Sequence, residues 1–237
     1  MFRLAKRCES WFFQAADAVV TLTHASLPRI RRLMSSRDVP VVVIPTCVDL
    51  QRFSGSKTRA DGPHLVWCGS IGTWYRFDLV PGLARALDWQ LEVVTRQVDL
   101  AFDQLGELGA NVRTLSPAEV PDVMCEGDVG LSLCKDVLAM QAMAPTRFAE
   151  YMASGMSVVV TPGLGDVERL VEEHRVGVIL RGEDEAAFRN AAVAIRALQA
   201  DPALPGRCLA LARECFDVEA GTRAYAALYD HLLRRDR

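Results

Sequence analysis

The sequence has little of what marks a nucleic-acid-binding, membrane-spanning or metal-binding protein. Its 237 residues include 27 basic and 30 acidic side chains, so no basic excess is available for a phosphate backbone. No apolar run approaches the roughly 20 residues that cross a bilayer. The seven cysteines form no CxxC pair and no cluster with histidine at zinc-ligand spacing. We therefore expect reduced cysteines in the core of a cytoplasmic protein, with no nucleic-acid partner, no metal and no cofactor.

The amino-terminal stretch, MFRLAKRCESWFF, is basic and amphipathic and lacks the apolar core and cleavage site of a secretory signal. Two interpretations are open. Its four aromatic side chains could dip into a membrane surface beside Arg3, Lys6 and Arg7. Alternatively, the helix packs those aromatic side chains on protein, which the shortness of the basic segment favours. The expected location is the cytoplasm, with peripheral contact at the inner membrane face as the second interpretation.

Apolar runs alternate with helical patterns along most of the chain. This alternation predicts an α/β fold, a doubly wound parallel sheet with helices on both faces. Continuous runs of Val, Ile and Leu suit strands that are buried on both sides. The predicted strands are residues 18–22, 41–45, 64–68, 91–95, 110–114, 128–133, 157–162 and 176–180.

A polar stretch, SGSKTRADG, separates the first two strands from the other six and is predicted to be a linker. Six strands suffice for a Rossmann-like domain, whereas two parallel strands cannot bury a core of their own. We predict an amino-terminal remnant over 1–53, the linker over 54–62, a ligand-binding domain over 63–216 and a closing helix over 217–237 that returns to the remnant. The remnant then has to pack on the carboxy-terminal helices or on another polypeptide.

Ligands bind doubly wound sheets at the carboxyl ends of the strands, and the first unusual loop there is CGSIGTWYRFD (68–78). Gly69 and Gly72 let the backbone approach a ligand, and Ser70 and Thr73 lie beside them. The loop is neither GxGxxG nor a P-loop, so it does not identify a dinucleotide- or ATP-binding protein. Phosphate binding and a tight turn packed by aromatic side chains are equally compatible with it.

The second unusual loop leads into a helix that begins PTRFAEYMASG. Pro145 suits a first helical turn, and Thr146, Arg147 and the free amides at the positive helix end suit a phosphate. Lys135, at the end of the preceding strand, adds charge. Glu150 lies one turn further in, where its carboxylate matches two ribose hydroxyls. An ion pair with Arg147 or a solvated position explains Glu150 equally well.

The loop TPGLGD (161–166) places Gly165 and Asp166 at the end of the next strand, where we expect them to face the same crevice. Alone this loop is weak evidence, because strand-to-helix turns commonly carry glycine and an aspartate cap. Together the loops bring anion-binding backbone, a cation and a hydroxyl-binding carboxylate to one edge of the sheet. A nucleotide diphosphate requires that combination.

The segment PTRFAEYMASGMSVVVTPGLGD resembles the group 1 (family 4) glycosyltransferases, which carry a proline, a basic residue and Glu-Tyr before a glycine and an apolar strand. GSIGTWYRFD resembles a glycine loop of some members, and ADAVVTLTH and VVVIPTCVDLQRF resemble the end of their preceding domain. The resemblance implies the GT-B architecture of two Rossmann-like domains, here with a truncated amino-terminal domain. It also implies metal-independent, usually retaining transfer of a sugar from a nucleotide diphosphate sugar. Glu150 would hold the ribose, with Thr146 and Arg147 near the diphosphate.

The sequence departs from the family pattern at several positions. The first glutamate of the E-x7-E motif falls on Ala142, and Ser70 replaces a usual arginine, with only Arg76 nearby. Thr46 and Cys47 replace Asn-Gly. No histidine matches the family's catalytic position, so no catalytic residue is assigned. The predicted donor-binding residues are Gly69, Ser70, Gly72, Thr73, Lys135, Thr146, Arg147, Glu150, Gly165 and Asp166.

Three functional hypotheses follow. The first is a glycosyltransferase, or its donor-binding half, with a nucleotide sugar and a sugar or lipid-linked acceptor as partners. The second is a non-catalytic donor-binding subunit that pairs with a separate acceptor-domain protein or forms a homo-oligomer. The third is another sugar-nucleotide enzyme on the same architecture, such as a non-hydrolysing epimerase.

Overall fold

The fold is given by a computed structural model that describes residues 2–34, 38–53 and 62–235. Residues 54–61 of the predicted linker lie outside the described residues. The strands are β1 (Val19–Thr21), β2 (Val41–Val43), β3 (His64–Cys68), β4 (Gln90–Val94), β5 (Asn111–Arg113), β6 (Val129–Ser132), β7 (Ser157–Val160) and β8 (Gly177–Ile179). The helices are α1 (Phe2–Ala15), α2 (Leu27–Met34), α3 (Val80–Leu87), α4 (Val98–Leu105), α5 (Val120–Glu126), α6 (Thr146–Ala153), α7 (Val167–His174), α8 (Glu185–Gln199), α9 (Leu204–Cys215) and α10 (Val218–Arg235).

Six strands form one parallel sheet in the order β5-β4-β3-β6-β7-β8. This order is that of a doubly wound Rossmann-like sheet: successive strands are added in one direction from β3 to β5 and in the other direction from β6 to β8. All eight predicted strands are confirmed, with ends that differ from the predicted bounds by at most two residues. The predicted α/β fold class is therefore confirmed.

The sheet has a separate hydrophobic core on each face. On one face, side chains such as Val66, Val158 and Val160 pack with α6, α7 and α9. On the other face, Trp67, Val93 and Val159 pack with α3 and α8. Because both faces are covered, the strands read as continuous apolar runs in the sequence.

Helix α6 is fixed to the sheet by Tyr151, which is completely buried. Its hydroxyl accepts a hydrogen bond from the Cys68 amide at 3.2 Å and donates to the Val66 carbonyl at 3.3 Å. Its ring lies over Gly130 in β6, where the absence of a side chain makes room for it. These contacts hold the beginning of α6 beside the carboxyl end of β3.

The amino-terminal part forms a two-stranded parallel sheet, β1 with β2. It is joined to the rest of the chain at Val48, whose amide donates to the Phe216 carbonyl at 2.8 Å. The Val48 carbonyl accepts from the Val218 amide at 3.1 Å, where α10 begins. The bounds of the four predicted parts of the chain stay predictions.

All seven cysteines have free thiols in the structure. Four of them are buried, whereas Cys8 is exposed on α1 and so is not the core residue that we expected. No helix in the described part of the chain is both long and apolar enough to span a bilayer.

We expect Gly130→Ala to destabilise the protein by about 1–3 kcal/mol, because the added methyl group overlaps the Tyr151 ring and forces the core to shift. The matched control is Gly206→Ala in α9, where an added Cβ meets no atom within 4 Å. Alanine is the better helix former, so the control is expected to leave stability unchanged or raise it. Urea unfolding measures both effects, and equal stability of the two variants would contradict the packing role of Gly130.

Candidate functional site at the sheet edge

The crevice lies where β3 and β6 end side by side in the sheet. The loops that follow these neighbouring strands lead away to opposite faces, which opens a space between them. Two cavities occupy this edge, with volumes of about 320 Å³ and 360 Å³. Cys68, Gly69, Ser70 and Arg147 line both of them. The glycine loop and the start of α6, which the sequence singled out separately, therefore meet at one site.

The start of α6 forms one wall of the 360 Å³ cavity, through Pro145, Thr146 and Arg147. Pro145 precedes the first helical residue, and no side chain caps the helix end. The first amides of an uncapped helix carry partial positive charge. Thr146 is exposed, and the guanidinium of Arg147 adds a full positive charge at the same place. This wall can bind an anion.

Glu150 forms a short ion pair with Arg147, which lies three residues earlier in the helix. An ion pair with Arg147 was one of the alternatives predicted for Glu150. The same carboxylate lines the 320 Å³ cavity, with 15% of its side chain exposed. Burial raises the pKa of the Glu150 carboxyl above its ordinary value, and the neighbouring Arg147 opposes that shift without cancelling it. A carboxylate held at this cost in a cavity wall gains from any additional hydrogen-bond donor. Its role in holding a ribose stays a prediction.

The other residues predicted for this edge of the sheet are Gly72, Thr73 and Lys135. The Lys135 amide donates to the Trp74 carbonyl at 3.0 Å, so the end of the glycine loop is tied to the chain that follows β6. The side chains of Thr73 and Lys135 are exposed, and neither residue lines the two cavities. They border the site, and their contact with a donor stays a prediction.

Gly165 and Asp166 lie at the junction with the amino-terminal part. The Asp166 carboxylate accepts hydrogen bonds from the His24 and Ala25 amides at 2.7 and 2.9 Å, and it lies 2.9 Å from the His24 ring. Gly165 has a φ of +48° and packs against the Met143 carbonyl. Asp166 lines a third cavity, of about 280 Å³, at this junction. A donor contact for either residue stays a prediction.

Arg52 and Arg96 line the 320 Å³ cavity together with Glu150, and the sequence analysis did not single them out. Arg52 comes from the amino-terminal part, where its guanidinium donates to the Pro117 carbonyl at 2.7 Å. Arg96 follows β4 by two residues, which is the signal that could have identified it. Arg76, the cation expected near the glycine loop, is instead paired with Asp78 at 2.8 Å and Glu183 at 2.5 Å.

Within the described ranges, no group of three or more His, Cys, Asp or Glu side chains is placed to hold a metal ion. Cations of the protein itself line the crevice.

No protein-family model and no curated protein matches the sequence. Solved structures match its fold. Sucrose-phosphate synthase from Thermosynechococcus elongatus superimposes with a TM-score of 0.74 at 18% identity, covering 96% of this chain and 61% of its own. A glycosyltransferase from Rickettsia africae has a TM-score of 0.74 at 12% identity, and the match covers 94% of this chain and 66% of that protein. The HepE protein of Anabaena, solved in complex with UDP-glucose, has a TM-score of 0.71 at 17% identity, and the match covers 93% of this chain and 65% of that protein.

The present chain thus spans between 61% and 66% of the length of these proteins. At such identities the likeness concerns the fold. The predicted architecture, a Rossmann-like half of the GT-B fold, is confirmed.

We expect the Asp166→Asn variant to lose about 1.5–3 kcal/mol at neutral pH, because the amides of residues 24 and 25 lose a charged acceptor. Burial alone would raise the pKa of Asp166, but the hydrogen bonds from His24 and Ala25 outweigh burial and hold the pKa below its ordinary value of 3.8. The carboxylate therefore stabilises the fold above pH 3.8 and loses this effect as the pH falls through the lower folded-state pKa.

Urea unfolding from pH 7 down to pH 3 checks this expectation. The stability difference between the wild type and the variant should shrink as the pH falls. Asp103→Asn, which removes an exposed carboxylate on α4, serves as the control and should leave stability nearly unchanged. A difference for Asp166→Asn that stays constant with pH would show that the carboxylate charge is not what holds the junction.

Proposed function

We propose that this chain is the donor-binding half of a glycosyltransferase, which transfers a sugar from a nucleotide diphosphate sugar to a glycan or lipid-linked acceptor. One observation carries the proposal. The uncapped start of α6, Arg147 and Glu150 meet the glycine loop between β3 and β6, where the order of strand addition reverses. Anion-binding groups and a hydroxyl-binding carboxylate thus lie within one crevice.

The proposed position of the donor follows from how the two cavities divide the residues. Glu150 lines only the 320 Å³ cavity, which suits the ribose and its base. Arg147 lines both cavities, so the diphosphate lies against Arg147 and the start of α6. The 360 Å³ cavity, lined by Ser132 and Thr146, then takes the sugar.

The proposed binding step includes an exchange of partners by the ion pair. Without a ligand, Arg147 and Glu150 neutralise each other. Ribose hydroxyls that donate to Glu150 compete with Arg147 for its oxygens, which leaves the guanidinium to the phosphates. Arg147 is suited to this role because its fork of N–H groups matches phosphate oxygens.

The proposed chemistry is electrostatic. Negative charge develops on the departing diphosphate during transfer, and preoriented helix amides and a guanidinium stabilise that charge without reorganising. We propose transfer that is metal-independent and retaining, which rests on the family resemblance of the sequence. No catalytic residue is assigned in the described part of the chain. The complex of HepE with UDP-glucose makes uridine diphosphate and its sugars the first ligands to test.

A second candidate function is a donor-binding subunit that acts only with a separate acceptor-domain protein or as a homo-oligomer. The observation that favours it is the small sheet of β1 and β2, whose strands pair only with each other among the residues that the structure describes. All three residues of β2 are only half-buried. Turnover of a nucleotide sugar by the monomeric chain alone would exclude this candidate.

We expect UDP or GDP and one of their sugars at millimolar concentration to stabilise the chain against heat. A ligand at 100 times its dissociation constant adds about 2.7 kcal/mol, which corresponds to a rise of roughly 5–10 °C in Tm for a chain of this size. The matching nucleoside monophosphate should protect less, because it lacks the second phosphate. The proposal fails if no nucleoside diphosphate or nucleotide sugar protects the fold.

Two variants separate the proposed roles of the ion pair. Arg147→Met should weaken binding of both the nucleoside diphosphate and inorganic pyrophosphate by about 10- to 100-fold, because a charged hydrogen bond contributes about 1.5–3 kcal/mol. Glu150→Gln should weaken binding of the nucleoside diphosphate but strengthen binding of pyrophosphate, because the neutral amide releases Arg147 from the ion pair. Calorimetric titration measures both, with the exposed Arg189→Gln on α8 as the control. An Arg147→Met protein that binds pyrophosphate as tightly as the wild type would contradict the assignment.

A further inference from the structure

Helix α1 turns an apolar face to solvent. Leu4, Trp11 and Phe12 are 66%, 63% and 66% exposed, although each is a large apolar side chain. Cys8 and Ala15 are exposed as well. These five residues recur at helical spacing, so they form one continuous stripe along the helix. The protein-packing interpretation of the amino-terminal aromatic residues is therefore not what the structure shows for Trp11 and Phe12.

The opposite side of α1 faces the protein. Phe13 lies on that side and is half-buried. Glu9 accepts from Lys6 at 2.5 Å and lies 3.4 Å from the Arg29 guanidinium of α2. The helix is thus anchored to α2 by one face while the stripe stays uncovered. An amphipathic helix normally buries its apolar face. Because the apolar stripe of α1 faces solvent instead, it needs a partner outside the described chain.

Positive charge is concentrated around this stripe. The first 34 residues carry six basic and two acidic side chains, whereas the remainder of the chain carries 21 basic and 28 acidic ones. Arg7 on α1 and Arg31 and Arg32 on α2 are exposed, and none of them forms an ion pair with a described residue. The amino-terminal helices are therefore a cationic patch on an otherwise acidic protein.

We propose that α1 and α2 bind the surface of an anionic phospholipid membrane, with the stripe of Leu4, Cys8, Trp11, Phe12 and Ala15 at the level of the headgroups. A helix with an apolar face, a tryptophan and flanking basic residues lies in such an interface. The apolar face enters the boundary with the acyl chains, and each nearby arginine is attracted by the negative surface potential.

A lipid surface accounts for both the apolar stripe and the basic charge beside it. The exposed aromatic side chains stand on the outer ridge of a helix, so a protein partner would need a matching groove with its own carboxylates. An anionic bilayer supplies an apolar layer and a uniform negative charge without such a groove. This inference does not depend on the proposed transfer reaction.

The experiment is flotation of the full chain with two kinds of vesicle. One is phosphatidylcholine alone, and the other is phosphatidylcholine with about 40% phosphatidylglycerol, which gives a strongly negative surface. We expect binding to the phosphatidylglycerol vesicles only, and we expect it to weaken as salt is raised, because exposed charges are screened. Absence of flotation with the anionic vesicles at low salt would overturn the proposal.

The apolar contribution is tested with the double variant Trp11→Ser/Phe12→Ser. It should bind anionic vesicles at least about tenfold more weakly, because both side chains lose their apolar contact with the bilayer. Both positions are exposed, so Tm should stay at the wild-type value. Phe102→Ser, at a 51% exposed position on α4, is the matched control and should bind as the wild type does. Equal binding by the wild type and the double variant would overturn the proposal.

The charge contribution is tested with Arg31→Gln/Arg32→Gln, which should weaken binding by about fivefold for each arginine removed. The matched control is Arg213→Gln/Arg223→Gln, two exposed arginines on α9 and α10. An equal loss in both pairs would show that net charge, and not this surface, decides binding. A wild-type dimer that Trp11→Ser/Phe12→Ser converts to monomers would assign the stripe to a second copy of the chain and would also overturn the proposal.

Discussion

The geometry of the crevice depends on how Tyr151 packs between α6 and the sheet. Its ring occupies the space over Gly130, and its hydroxyl is hydrogen-bonded to the backbone of Val66 and Cys68. Burying this hydroxyl without partners would cost free energy, so the hydrogen bonds specify one position of the ring. Because Tyr151 follows Glu150 directly, fixing the tyrosine also fixes the carboxylate and the helix start relative to the glycine loop.

Burial of Glu150, unlike burial of the Tyr151 hydroxyl, is not fully compensated by its partner, Arg147. Burial raises the pKa of the Glu150 carboxyl even though a guanidinium lies against it, so the negative charge of Glu150 is held at a cost. Such a cost is common where a residue serves binding more than stability. The pair suits a site whose two halves find separate partners in a ligand that carries both hydroxyls and phosphates.

The amino-terminal part holds the loop that leads into α6. Thr23 donates to the Gln141 carbonyl at 2.7 Å, and Thr46 donates to the Ala144 carbonyl at 2.8 Å. Asp166 completes the junction from the other side through the amides of His24 and Ala25. The backbone just before the anion-binding helix end is therefore positioned by residues distant in the chain. A shift of the amino-terminal part would move this loop, which couples the two parts of the molecule.

The sequence by itself determined the sheet and the start of α6. Runs of apolar residues report burial on both faces of a strand, and the helix start of Pro145, Thr146 and Arg147 is encoded within a few residues, so both could be predicted from local pattern. Only the tertiary structure decided that Asp166 lies against His24, that Arg52 and Arg96 reach the cavity of Glu150, and that Trp11 and Phe12 stay exposed. Each of these contacts joins residues that are far apart in the sequence and close in space. The spacing of residues along the chain does not show which of them will meet.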